Sequence, residues 1–184
     1  MTRPIEHLSR NRVRFTVNQV KRMLETGVLT GKPRFELLDG ELFEIGPTLP
    51  AHVWRVTDLT QRLVKQFDDR ATLLRHPPIE SPPDGLPQPD FALARREVPR
   101  DRWADASEIH LVIEVADLNL EELSRKKLKF YARGRVLECW IVNLVDDQLE
   151  VHRDPSGERY NTMFTVKTDT QTCLAFPDDP IRWR

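Results

Sequence analysis

Apolar positions recur along the chain with two periods, and the changes of period mark its elements. Val17, Val20 and Leu24 fall at helical spacing behind Thr16 and Gln19, the reciprocal pair of a capping box, and Gly27 supplies a stop. A short first helix is predicted there. Two apolar-bearing runs, Arg34 to Leu38 and Glu41 to Ile45, flank Asp39-Gly40, and both of those residues tolerate positive φ, which predicts a two-residue hairpin. Beyond Pro47 and Pro50, the residues His52, Val56, Leu59, Leu63 and Phe67 share one stripe of a second helix. The segment His76 to Pro89 is too rich in proline for helix and reads as an extended edge and a loop. Asp90 then opens the run Phe91-Ala92-Leu93, and residues 95 to 109 are polar and irregular around Trp103. Leu111 to Ala116 has the length and composition of a buried strand, Leu120 to Ala132 that of a helix, and Glu138 to Asn143 that of another buried strand. A turn at Asp146-Asp147 leads to a partner strand from Gln148 to His152, and strand-like pieces such as Met163 to Val166 follow. This mixed order, without an internal repeat, predicts one α/β domain over residues 15–184, with a mixed sheet flanked by helices, behind a loose polar arm at 1–14.

One position breaks the pattern. At about 100° per residue, Leu120, Leu123, Lys127 and Tyr131 fall on one face of their helix, which sets an ammonium on the apolar stripe, while Arg125, Lys126 and Lys129 project elsewhere. A charge among core-facing residues needs a partner. Alternation along the strand at 111–116 sends Val112, Glu114 and Ala116 to one face, so Glu114 is an acid inside an apolar run, on the face to which Lys127 returns. Asp90 is the second acid, at the start of a neighbouring strand. Two carboxylates on adjacent strands with a lysine on an adjoining helix would suit a divalent metal and an attacking water, the equipment of a phosphodiesterase. Each residue has a plainer account too: Glu114 as a strand-end carboxylate, Asp90 as a turn residue, Lys127 as a snorkelling lysine whose stem covers the core. Glu36, on the same face as Leu38, is either a solvated strand residue or a further acid of the site, and His52 is either a packed histidine or a base or phosphate contact.

Composition narrows the functional classes. With 28 Lys and Arg against 29 Asp and Glu, the net charge of -1 gives no whole-protein attraction for nucleic acid, so such a contact would need a local patch. Arg125, Lys126, Lys129, Arg133 and Arg135 are the candidates. No run is long and apolar enough to cross a bilayer, and the first residues lack the apolar centre of a signal peptide, so a cytoplasmic location without membrane contact is expected. Cys139 and Cys173 have no metal-ligand spacing and read as small hydrophobes in a reducing compartment. Walker, Rossmann, paired-cysteine zinc and nucleophile-elbow patterns are absent, and 7 glycines leave little for a phosphate-cradling loop.

Pro89-Asp90 followed by Glu114-Val115-Ala116, each acid beside hydrophobic strand residues, resembles the PD-(D/E)XK nuclease superfamily. That motif places its lysine two residues after the second acid, where this chain has Ala116, and some branches move it to the following helix, where Lys127 stands. The longer series Phe35-Glu36-Leu37-Leu38-Asp39-Gly40-Glu41, His52, Pro87-Gln88-Pro89-Asp90-Phe91-Ala92-Leu93, Leu111 to Asp117, Lys127, Tyr131-Ala132-Arg133 and Trp140-Ile141-Val142 is similar to the Uma-two family of restriction-endonuclease-like proteins, in unbroken order from about residue 15 to residue 160. The resemblance implies a restriction-endonuclease-like core, Asp90 and Glu114 as metal ligands, Lys127 as the catalytic lysine and Glu36 as an accessory acid. Leu123 and Asn143 stand where the family commonly has acids, and Arg125 where it has glycine. These departures spare the three residues and alter their surroundings.

The expectation is a DNA endonuclease using Mg²⁺ or Mn²⁺, acting as a homodimer by superfamily analogy. The alternative is a non-catalytic module on the same fold that binds nucleic acid or a protein.

Overall fold

The computed structural model describes residues 12–29, 34–118 and 121–184, with the backbone alone at Glu121. Most of the N-terminal arm, residues 1–11, therefore lies outside the described residues, as does Leu120 of the predicted helical stripe. The described arm residues contact the hairpin: Arg12 Nη1 donates to Glu41 Oε1 at 3.0 Å, and Arg14 Nη1 to Asp39 O at 3.0 Å.

The first helix, α1, spans Val17–Glu25, and its Thr16–Gln19 capping box forms as the sequence suggests. The hairpin follows as β1 (Phe35–Leu38) and β2 (Glu41–Glu44), turning through Asp39 at φ 53° and Gly40 at φ 75°. Helix α2 (Pro50–Phe67) buries the predicted stripe His52, Val56, Leu59, Leu63 and Phe67. The central sheet has six strands in the order β3-β4-β5-β6-β7-β8: Ala71–Arg75, Phe91–Arg95, Ile109–Ala116, Glu138–Asn143, Gln148–Ser156 and Arg159–Val166. Only β5 and β6 run parallel, joined by helix α3 (Glu121–Arg133) as a crossover, and every other neighbouring pair is antiparallel. A separate ribbon of β9 (Thr170–Cys173) and β10 (Phe176–Arg182) closes the chain.

The faces of this sheet pack differently. Val56, Leu59, Leu63 and Phe67 of α2 cover Phe91, Leu93, Leu111, Ile113 and Val115, with Cys173, Ile181 and Trp183 from the tail completing that core. On the other face Tyr131 packs with Ala92, Val112 and Cys139. The alternation inferred for 111–116 is what sorts these side chains. The proline-rich segment between β3 and β4 is held by two isolated bridges, Leu37 to Leu86 and Ser81 to Gly85, and Gly85 lies so close to Phe130 of α3 that no Cβ would fit. This loop therefore sits on both β1 and α3, and delivers Asp90 between them.

Three sequence readings change. The strand β3, an edge strand with a mixed pattern, was not legible as one. The pieces of the tail are longer ordered strands, β8 to β10. On α3 the buried positions among those described are Ser124, Lys127, Phe130, Tyr131 and Ala132, while Leu123 is half-buried.

Candidate active site

Phe91 pairs with Ile113 across β4 and β5, and carrying that register one residue further sets Asp90 beside Glu114. Asp90 Oδ2 accepts the Val115 N–H at 2.8 Å, which fixes the carboxylate over the end of β5. Both acids share the sheet face of Ala92 and Val112, the face covered by α3. From α3, Lys127 reaches into the gap. Its Nζ lies 2.7 Å from Glu36 Oε1 and 3.2 Å from Glu114 Oε1, and donates to Gln88 O at 3.0 Å. Four elements thus converge: β1 with Glu36, the loop with Gln88 and Asp90, β5 with Glu114, and α3 with Lys127.

Burial makes these contacts consequential. The side chains of Glu36, Glu114 and Lys127 are 1%, 3% and 7% exposed. Burial drives the Glu114 carboxyl up to about 8, with the charges of Asp90 and Glu36 adding to the rise and Lys127 opposing it. Burial pulls the Lys127 ammonium down, but the carboxylates of Glu114 and Glu36 outweigh that and hold it above its usual value. Burial likewise pushes Asp90 up, and there the hydrogen bond and charge of His52, then Lys127, prevail and hold it below the usual carboxylate range. Glu114 is the group that keeps a proton. Tyr131, one turn beyond Lys127 on the same helix, donates its hydroxyl to Glu114 Oε1 in a short hydrogen bond.

His52 at the start of α2 sits 3.2 Å from Asp90 Oδ1 through its Nε2, so it belongs to this cluster as the partner of Asp90. His76 stands 3.9 Å from the same oxygen, and burial followed by the charge of Arg34 pulls its pKa down to about 4. Glu36 is fixed from the loop side, where Gln88 N–H donates to its Oε1 at 2.7 Å, while its buried Oε2 has no hydrogen-bond partner. A cavity of about 160 Å³ opens beside Glu36, His52, Asp90, Glu114 and Lys127.

The five residues singled out from sequence, Glu36, His52, Asp90, Glu114 and Lys127, come together. The shortest partner of Lys127 is nonetheless Glu36 rather than Glu114, because the loop presses β1 against α3. Sequence reasoning missed Gln88, His76 and the role of the Tyr131 hydroxyl. Tyr131 was legible in principle: a phenol on a buried stripe four residues after an ammonium has to place its O–H somewhere.

The basic patch expected on α3 is arranged otherwise. Arg125 forms a two-pronged pair with Glu150 at 2.7 Å, Lys126 pairs with Glu122, Lys129 with Asp39, and Arg133 with Asp84 and Glu158. Arg125, Lys129 and Arg133 thus tie the helix to the sheet, the hairpin and the loop, whereas the Lys126 pair lies within the helix and is exposed.

The donor set suits a hard divalent ion, being carboxylate oxygens with one buried oxygen of Glu36 unpartnered. Among the described residues no group of three or more His, Cys, Asp and Glu is placed so that it could by itself hold a metal ion, and the ammonium of Lys127 lies between Glu36 and Glu114. A site on Asp90 and Glu114 would draw the rest of its shell from water and substrate, as small hard ions ordinarily do.

Comparison with known proteins places the chain in a family and its fold beside a solved structure. Residues 18–180 match the Uma2 family, whose description is "Putative restriction endonuclease". The chain belongs to the Uma2 family. No curated protein matches it. Its fold is similar to the crystal structure of a protein from Anabaena variabilis ATCC 29413 described as "a putative nuclease belonging to DUF820", with a TM-score of 0.67 and 13% identity over 84% of this chain and 90% of that one. At that identity the likeness concerns the fold. Among the described residues no helix of this Uma2 protein is long and apolar enough to cross a membrane.

Proposed function

We propose that this Uma2 protein is a metal-dependent endodeoxyribonuclease whose site is formed by Asp90, Glu114 and Lys127, with Glu36 accessory. The observation that carries the proposal is the convergence of three buried carboxyl groups, those of Glu36, Asp90 and Glu114, on one buried lysine beside a small cavity. The family description and the fold likeness support nuclease chemistry. Asp90 and Glu114 would hold Mg²⁺ or Mn²⁺, which when bound lowers the pKa of a water and stabilises charge at the phosphoryl group. Lys127 then offers ammonium protons to a phosphate oxygen or to the attacking water. Glu36 and the Gln88 carbonyl hold that ammonium in position, Tyr131 orients the Glu114 carboxyl, and His52 orients Asp90. Cutting both strands of a duplex would call for two such clefts, as a homodimer would supply.

The test is direct. Mg²⁺ or Mn²⁺ should raise the Tm of the wild type and support cleavage of plasmid DNA, and both effects should vanish in Asp90→Ala. A shift that persists in that variant would place the ion elsewhere. The rival, a non-catalytic binding module, gains from the internal pairing of the α3 cations, and it becomes the better account if no divalent ion supports cleavage of any DNA form.

A further inference from the structure

The cleft has a rim, and the rim carries the opposite charge to its floor. Arg34 and Arg75 line the same cavity as Asp90 and Glu114, and both are exposed. Each is fixed by its backbone. Ile45 N–H donates to Arg34 O at 2.8 Å, just ahead of β1, and Arg75 ends β3 in register with Phe91, the residue after Asp90. Both therefore border the cavity that holds Asp90 and Glu114, and the residue after Arg75, His76, donates its backbone N–H to Asp90 O at 3.3 Å. Among the described residues neither arginine makes an ion pair with a carboxylate, whereas Arg125, Lys126, Lys129 and Arg133 all do. An arginine without a carboxylate partner is open to an external anion, and its planar donors match phosphate in two-pronged geometry. A phosphodiester approaching the floor alone would meet the carboxyl groups of Glu36, Asp90 and Glu114, with the Lys127 ammonium already engaged by two of them.

We propose that Arg34 and Arg75 form a phosphate subsite at the mouth of the cleft, which takes the phosphate next to the one presented to Asp90, Glu114 and Lys127, so that the ligand is a polynucleotide strand with consecutive phosphates. The choice of a polynucleotide rests on the nuclease proposal, and the test separates the two by reading binding without cleavage. Binding of fluorescein-labelled single-stranded and duplex oligonucleotides to the full chain is followed by anisotropy in EDTA across a sodium chloride series. Arg34→Ala/Arg75→Ala should weaken binding of at least one form tenfold or more. It should also flatten the dependence of log K on log salt by between about one and two, the change expected for two lost phosphate contacts. Lys65→Ala, which removes an exposed cation of α2 away from the cavity, should alter neither quantity, and unchanged Tm values would show that the variants fold. Affinity and slope equal to wild type in the double variant would overturn the rim, and so would failure of the wild type to bind either form, even if cleavage is seen with a divalent ion. Arginine-dependent binding without cleavage under any divalent ion would leave the rim standing and remove the nuclease proposal.

Discussion

Glu114 and Glu150 lie in one row across the sheet, because Glu114 pairs with Ile141 on β6 and Ile141 pairs with Glu150 on β7. They share a face, are both buried, and stand two strand spacings apart, roughly 10 Å. Their carboxyls move in opposite directions. Burial pushes Glu150 up, but neighbouring His152, the fork of Arg125 and Asn143 outweigh it and bring the carboxyl to about 2, whereas Glu114 rises to about 8. Glu150 has polar partners to match its charge. Glu114 shares one lysine with Glu36, and burial outweighs that cation. A buried acid satisfied by its surroundings fastens a helix to a sheet. A buried acid that burial keeps protonated is poised for a ligand that brings positive charge.

Exchanging each glutamate for its uncharged isostere should widen this contrast most. Glu114→Gln is expected to lower metal-dependent cleavage on the order of a hundredfold to a thousandfold while Tm holds or rises, because the substitution relieves crowding among the acids. Glu150→Gln should leave cleavage within a few-fold of wild type and cost about 1–2 kcal/mol of stability, since Arg125 loses its ionic partner. Matching losses of activity in the two variants, measured beside their thermal unfolding, would erase the distinction.

Lys127→Met tests how far the site depends on its buried ammonium. With the ammonium gone, three buried carboxylates face one another, and stability at pH 8 should drop by about 3 kcal/mol. The folded variant would then bind protons more tightly than the unfolded chain, so the deficit should shrink as pH is lowered toward 5. Denaturant unfolding at both pH values reads this, and adding Glu36→Gln should recover part of the loss if the 2.7 Å pair is the main one. A deficit independent of pH would point to lost packing instead.

The two acids should also leave separate marks on stability against pH without added metal. Glu114 has its folded-state pKa raised to about 8, so the folded protein holds a proton that the unfolded chain releases near pH 4.5, and stability from this group falls as pH climbs through that window. Glu150 is depressed to about 2, so its contribution is present above pH 4.5 and disappears as pH falls toward 2. Glu114→Gln should flatten the neutral arm, and Glu150→Gln the acid arm. A neutral arm unchanged in Glu114→Gln would mean that another group carries it.

The smallest effect belongs to Tyr131→Phe. Loss of one buried hydrogen bond should cost about 1 kcal/mol, and the Glu114 carboxyl, deprived of a donor, should rise further. The neutral arm would therefore extend to higher pH. An arm shifted to lower pH would show that the hydroxyl favours the protonated acid instead.

The sequence by itself determined what local sterics and periodicity control. Asp39-Gly40 makes its hairpin because both residues accept positive φ, Thr16 and Gln19 cap α1, and the stripe of α2 is buried as its spacing requires. An ammonium on an apolar stripe and an acid inside an apolar strand stood out for the same reason, since burial of unpaired charge is costly wherever the residues finally lie. Tertiary structure decided the partners. Whether β3, β9 and β10 are strands depends on neighbours that no local pattern specifies, as their mixed faces show. Whether a lysine or arginine on α3 meets DNA or a carboxylate depends on which acids the hairpin, the loop and β7 bring within about 4 Å, and that distance turned Lys129 toward Asp39 and Arg125 toward Glu150. The pairing of Lys127 with Glu36 joins residues far apart along the chain, and it exists because the proline-rich loop, packed through Gly85 on Phe130 and through Leu86 on Leu37, holds β1 against α3.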